Sequence, residues 1–188
     1  MDKEWYKYFD FHYFLRLISI LILLYYFNFF FRGITDPKNF YSPFIDHNLN
    51  YVTWLRSSIL YTSNILAHAF GLNSHVDGKI IKVFKGAGVI LNLPCLGLGI
   101  ISFWIAFIFA HRNNFVIRFQ WCIIGIVAIW FINCLRISLL LLALQNKLEV
   151  NKYINHHDLF NYIAYAAIIL LIYFFNAKNN KATVYSLE

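Results

Sequence analysis

Long apolar runs separated by polar loops constrain this chain more than any other feature of its sequence. The 188 residues are 60% hydrophobic and only 13% charged, which is far too apolar for a water-soluble domain of ordinary composition. A helix needs about 20 apolar residues to cross a bilayer, and several runs approach that length. We therefore predict an all-α integral membrane protein with a single domain over residues 1–188.

Four of these runs are predicted to be transmembrane helices that pack as a bundle. The first has no small-residue cleavage site after it, so we interpret it as a retained anchor and not a signal peptide. The second is short for a span. The four predicted spans are Phe11–Phe31, Leu96–Ala110, Phe119–Leu142 and Leu159–Phe175.

Two further segments are predicted outside the bilayer core. In Tyr51–Phe70 polar residues interrupt the apolar ones at helical spacing, which favours an amphipathic helix at the membrane interface; a fifth span is the alternative. In Lys79–Leu93 two β-prone runs flank Lys85-Gly86-Ala87-Gly88, which predicts a small hairpin. Open strand edges avoid hydrocarbon, so the hairpin should lie outside it.

The basic residues indicate orientation and not a nucleic-acid partner. The net charge is +7, but the 16 Lys and Arg are scattered between apolar runs and form no basic stripe. The turn from His111 to Arg118 contains two arginines and no acid, as cytoplasmic turns do. The hairpin is then predicted to be extracytoplasmic.

Three reactive residue types are predicted to meet at one membrane surface. Cys95 precedes one helix, and Arg136 lies about 27 Å beyond Arg118 along the next helix, which returns it to the surface where Cys95 began. His156 and His157 directly precede the last helix and share that surface.

The residue types suit thiol chemistry. Pro94 favours a helix start, which would place Cys95 in a first turn where orphan amides stabilise a thiolate. Arg136 and Asn133, on one face, could present donors to an oxyanion, and a neutral histidine could take a proton. Gly97 allows close approach of a substrate.

No cofactor or metal is predicted for this site. Cys122 and Cys134 lie within an apolar run and are interpreted as core residues, so the three cysteines imply no disulfide framework. No second cysteine or HExxH-like spacing accompanies the histidine pair. From the residues alone, either His156 or His157 can act as the base.

Together these residues resemble the exosortase/archaeosortase family of membrane transpeptidase-like proteins. The resemblance rests on Cys95-Leu96-Gly97, on Asn133-Cys134-Leu135-Arg136 and on the histidine pair, and it covers about residues 65–173. The short length and the richness in Asn, Lys and Ile resemble the compact members found in Bacteroidetes-type bacteria. The family's spacing favours His157 over His156.

The resemblance implies a function. Such enzymes cleave exported proteins at a C-terminal signal made of a short motif, a membrane helix and a basic cluster. Cys95 would be the nucleophile, with Arg136 and His157 as its helpers, at the extracytoplasmic face of the bacterial inner membrane. The alternative is a catalytically silent assembly or scaffold protein in protein export or envelope polysaccharide production.

Overall fold

The computed structural model describes residues 11–37, 39–112, 114–146 and 156–184, with the backbone alone at 156–161, 163, 164 and 179–184. Its helices are α1 (Phe11–Thr35), α2 (Pro43–Leu49), α3 (Tyr51–Ala69), α4 (Leu98–Ala110), α5 (Phe115–Gln145) and α6 (His156–Val184). Its strands are β1 (Ser74–Asp77), β2 (Ile80–Val83) and β3 (Gly88–Ile90). The first unit comprises residues 1–54 and 98–126, and the second unit comprises residues 55–97 and 127–188.

Among the described residues, two helices are long and apolar enough to cross a membrane. They are α1, with 25 residues, and α5, with 31. By contrast α4 has 13 residues and is about 20 Å long, which is less than the roughly 30 Å of a hydrocarbon core. Within the part of α6 whose side chains are described, Tyr165–Lys178 is an apolar stretch shorter than a full span. The part of the chain that the structure describes thus contains two candidate spans, and the four predicted spans are not confirmed.

Large apolar side chains cover the outer surface of the helices. In α1 no residue is buried, and its exposed side chains include Leu23, Tyr25 and Phe30. The middle of α5 exposes Ile123, Ile124 and Val127 in the same way. A water-soluble monomer rarely exposes so much contiguous apolar surface, whereas lipid chains solvate it without penalty. The exposed apolar surface and the two candidate spans of this mostly helical chain favour a membrane setting.

In the first unit, α1 packs against α4, and a few polar contacts lie among the apolar side chains of this interface. The Asn28 side chain donates from Nδ2 to Ser102 Oγ at 3.3 Å and accepts from the Tyr51 hydroxyl at 2.6 Å. Near the other end of α1, the ring of Tyr13 lies 4.7 Å from the ring of His111. Polar groups that satisfy one another in this way tie helices together where no water is available.

The contact between α4 and α5 in this unit depends on a glycine. The buried indole of Trp104 donates from Nε1 to the carbonyl of Trp121 at 3.1 Å, and it occupies the space where a Cβ of Gly125 would stand. Because Gly125 has no side chain, the indole of Trp104 can reach the carbonyl of Trp121. The polar N–H of the tryptophan is thereby satisfied inside an apolar interface.

In the second unit, α3 packs alongside α5 and turns its serines towards it. Ser63 Oγ donates to the carbonyl of Cys134 at 3.1 Å, and Ser138 Oγ donates to the carbonyl of Ser63 at 3.0 Å. The exposed side of α3 includes Tyr61 and Ile65, which are 69% and 52% exposed. These small polar residues form the contact between α3 and α5, as in membrane interiors. The interfacial position of this helix stays a prediction.

The predicted hairpin is part of a three-stranded antiparallel sheet in the order β1-β2-β3. The turns between strands use Gly78 and Lys85, each with φ of 58°. The buried side chains of Ile81 and Val89, which pair across β2 and β3, face the core of the unit. A hydrogen bond of 3.1 Å from the Ala87 amide to Gln145 Oε1 joins the sheet to the end of α5.

Candidate active site around Cys95 and Arg136

Cys95 lies in a short 3₁₀ helix, Leu93–Leu96, that begins with Pro94 near its first position. Its amide donates to the Asn92 carbonyl at 3.0 Å. Gly97 then adopts φ of 73°, and the long helix α4 begins only at Leu98. The expectation that Cys95 occupies the first turn of the helix Leu96–Ala110 is therefore wrong.

The break at Gly97 changes how the Cys95 thiol could be activated. A left-handed residue interrupts the helical hydrogen-bond ladder, so the Cys95 amide is not one of the orphan donors at the start of α4. The dipole argument for a thiolate loses its basis. Activation then has to come from side chains that surround the sulfur.

The turn that carries Cys95 is held against α5 by Asn133. The Asn133 side chain is 3% exposed, and its Nδ2 donates to the Leu96 carbonyl at 3.5 Å. A Cβ at Gly97 would collide with the same nitrogen, so the glycine is needed for both its φ and its lack of a side chain. Asn133 was predicted to face an oxyanion, but its amide faces the backbone next to Cys95. It holds the turn that contains Cys95.

Arg136 follows Asn133 by one helical turn, a rise of about 4.5 Å on the same side of α5. Its side chain is 8% exposed, and no acceptor among the described residues lies within hydrogen-bonding reach of its Nε. An arginine is always charged, and burial without a counter-charge is costly. A buried guanidinium in this setting is ready to receive an anion or a polarised carbonyl oxygen.

Carboxylates are absent from a long stretch of the sequence around Arg136. The sequence has no Asp or Glu from Gly78 to Leu148, which includes β2, β3, α4 and α5. Within the described part of the chain, an ion pair of 3.6 Å joins Lys82 to Asp77 at the exposed surface of the sheet, and none includes Arg136. An anion bound at Arg136 would thus meet no competing carboxylate on these elements.

The two candidate bases begin the last helix. His156 is the first residue of α6 and His157 the second, but their side chains lie outside the described residues. The proposed role of His157, with His156 as its alternative, therefore stays a prediction.

The other two cysteines lie in the interior of the helices. Cys122 and Cys134 are buried, whereas Cys95 is partly exposed, and all three are thiols and not disulfides. The carbonyl of Cys134 accepts hydrogen bonds from Ser63 and Ser138, so its position serves the packing of α3 on α5. Over the residues described, no group of three His, Cys, Asp or Glu side chains is placed to hold a metal ion.

The hydrogen-bond partner of Asn133 and the contribution of Gln145 to this region were not foreseen from the sequence. The amide of Asn133 was predicted to face an oxyanion. Its partner in the structure, the Leu96 carbonyl, is 37 residues away in the chain, so no local pattern indicates this contact. Gln145, which accepts from the Ala87 amide, was not singled out because a glutamine near a helix end has no distinctive pattern. In both cases the missing information is a partner that is close only in the fold.

Comparison with protein-family models, curated proteins and solved structures found no match to this chain.

Proposed function

We propose that the chain is a membrane-embedded cysteine protease or transpeptidase that processes C-terminal sorting signals of exported proteins. The observation that carries the proposal is the contact between the turn that contains Cys95 and α5. This contact is made at Asn133, one helical turn before the buried Arg136. Asn133 holds that turn through the Leu96 carbonyl, and Arg136 has an unsatisfied Nε among the described residues. A partly exposed thiol, on a turn held against α5 one helical turn from a buried cation, suits acyl transfer from a peptide carbonyl.

The reaction follows from these groups. The Cys95 thiol gives its proton to His157, or to His156, and the sulfur attacks the scissile carbonyl carbon. A C–S bond forms, and the oxygen of the tetrahedral intermediate takes the negative charge beside the Arg136 guanidinium. The C–N bond then breaks, and the departing amine takes the proton from the histidine. Water or an acceptor amine finally attacks the thioester and releases Cys95.

The proposed setting is the bacterial inner membrane, with the site at its extracytoplasmic face. The arginines at 112 and 118 favour a cytoplasmic turn between α4 and α5, and the sheet would then roof the site outside. In this proposal α4 and α6 also cross the bilayer as part of a four-helix bundle. A substrate tail with an apolar helix and basic residues would lie in the same bilayer.

The test is cleavage of a candidate substrate in cells. Secreted proteins from the same genome that share a short motif, an apolar helix and a basic C-terminus would be co-expressed with the chain, and products measured by mass spectrometry. Cys95→Ala and Arg136→Ala should each abolish cleavage at equal membrane abundance. The product mass separates hydrolysis from transfer.

The buried cysteines provide the matched control. Cys122→Ala removes a thiol of the first unit and should leave cleavage unchanged. Cleavage that persists in Cys95→Ala would overturn the mechanism. Absence of cleavage with every candidate, together with equal inertness of Cys95 and Cys122 towards a thiol probe, would favour the silent scaffold instead.

A further inference from the structure

One end of the first unit carries a group of basic side chains that the proposed function does not use. It consists of the start of α1 and the turn between α4 and α5. The ring contact of 4.7 Å between Tyr13 and His111 shows that these two parts adjoin. We call this surface the basic end; its basic residues are His12, Arg16, His111, Arg112 and Arg118.

Two arginines of the basic end bend towards it. Arg16 donates from Nε to the His12 carbonyl at 3.1 Å, which directs its guanidinium back towards the start of α1. The guanidinium carbon of Arg118 lies 5.7 Å from the ring centre of Phe109 and 5.8 Å from that of Phe115, the residues on either side of the turn. Both guanidinium groups therefore lie at the basic end, in the way that snorkelling arginines place their charge at the end of an apolar helix.

Both guanidinium groups retain unsatisfied donors. Arg16 Nη2 and Arg118 Nε are buried and have no acceptor among the described residues. The described parts of α1, α4 and the first unit's share of α5 contain no Asp or Glu. Asp36, just beyond the far end of α1, is about 30 Å from Arg16 along the helix axis. Among the described residues of this unit, no carboxylate forms an ion pair with Arg16 or Arg118.

We propose that the basic end binds the phosphate group of an anionic phospholipid. A planar guanidinium presents paired donors that match phosphate oxygens, and the basic end has one from α1 and one from α5. The aromatic rings of Tyr13, Phe109 and Phe115 would contact the glycerol and upper acyl chain. The site lies where these apolar helices begin and end, at headgroup level. It is independent of the thiol chemistry proposed for Cys95.

The experiment measures lipid retention by native mass spectrometry of the full chain. Protein would be released from nanodiscs that contain equal amounts of phosphatidylglycerol and phosphatidylcholine. The wild type should retain phosphatidylglycerol preferentially. Arg16→Gln and Arg118→Gln should each weaken that retention about fivefold, which corresponds to about 1 kcal/mol. Arg16→Lys keeps the charge but not the fork, and it should fall between wild type and Arg16→Gln.

The controls separate lipid from other sources of negative charge. Arg32→Gln changes an arginine in the last turn of α1, at its opposite end, and should leave retention unchanged. Inorganic phosphate added in excess should not displace the lipid; displacement would identify a free-phosphate site and overturn the lipid assignment. Equal retention of both lipids, or unchanged retention in an Arg16→Gln/Arg118→Gln double variant, would also overturn it.

A rival source of charge within the chain is Asp10, which directly precedes α1 in the sequence. If Asp10 neutralises Arg16, Asp10→Asn should strengthen lipid retention or destabilise the protein in phosphatidylcholine alone, and either result would contradict the proposal. If the phosphate is the partner, Asp10→Asn should change neither measurement.

Discussion

At the residue scale, the position of the Cys95 turn depends on Gly97. Its φ of 73° and the nearby Asn133 amide both exclude a side chain. We expect Gly97→Ala to lower the free energy of unfolding by at least about 1–2 kcal/mol, because an L residue is strained in this backbone region and its Cβ meets the amide. Thermal unfolding in detergent measures the effect.

Two other glycines separate the contributions. Gly78 also has a positive φ but has open space around it, so Gly78→Ala reports the backbone cost without the collision. Gly99 lies in α4 with no neighbour near its Cβ position and no positive φ, and Gly99→Ala should be neutral or stabilising by up to about 1 kcal/mol. A loss in Gly97→Ala no greater than in Gly99→Ala would contradict the explanation.

His111, in the turn after α4, should make stability depend on pH. Burial lowers the pKa of its imidazole, an effect that the Phe107 carbonyl opposes and the Arg16 guanidinium reinforces. The folded chain thus favours the neutral ring, while the unfolded chain takes up a proton near pH 6.5. The free energy of unfolding should fall as pH drops below about 6.5 and level off below the folded pKa.

This pH effect is measurable as the loss of melting temperature between pH 7.5 and pH 5.5 in a neutral detergent free of anionic lipid. His111→Gln removes the titrating ring and should lose less than the wild type over that interval. An equal loss in both proteins would assign the pH dependence to other groups.

At the element scale, the sequence located most helices but did not reveal the strand β1 or the residues through which α3 contacts α5. Periodicity identified the helical runs because apolar content persists over many residues. The strand β1, Ser74–Asp77, was missed because its burial pattern leaves three of four residues exposed and provides no apolar alternation. The contacts of the α3 serines with α5 were not predicted, because sequence cannot distinguish a polar residue that faces water from one that faces a helix.

The same limit applies to the candidate site. Cys95, Asn133 and Arg136 were brought to one surface by counting helical rise, and the contact of Asn133 with the Leu96 carbonyl places the Cys95 turn beside α5. The interruption at Gly97 was not foreseen, since Pro94 followed by a glycine also fits a simple helix start. Which partner the Asn133 amide chooses depends on distances that no local pattern encodes.

The join between the sheet and α5 predicts a local effect. Gln145→Ala removes the acceptor of the Ala87 amide, so the β2–β3 turn should open more readily, at a cost of about 1 kcal/mol. Hydrogen exchange of the amides at 86–88 should become faster. Gln145→Glu keeps an acceptor oxygen and should exchange like the wild type; equal acceleration in both variants would show that the hydrogen bond contributes nothing.

At the scale of the whole molecule, the main question is the path of the chain through the membrane. With 31 residues, α5 is about 46 Å long, enough to carry its two ends into opposite headgroup layers. We expect Lys85→Cys, in the sheet that Gln145 contacts, to be extracytoplasmic, and Arg112→Cys, just before α5, to be cytoplasmic.

A membrane-impermeant maleimide tests this in a variant whose three native cysteines are replaced by serine. Lys85→Cys should be labelled in intact cells, and Arg112→Cys only after the cells are opened. The reverse pattern would invert the proposed orientation, and labelling of both in intact cells would show that α5 does not cross.

The packing of the Trp104 indole against Gly125 also predicts how these two positions change in evolution. Because neither residue can change alone without leaving a void or a collision, the two positions should vary together through evolution. A lineage with a larger residue at 125 should have a smaller one at 104. Distant relatives of this chain would then be recognised by a coupled pair 21 residues apart, even though its short motifs, such as Cys95-Leu96-Gly97, are too common to identify them.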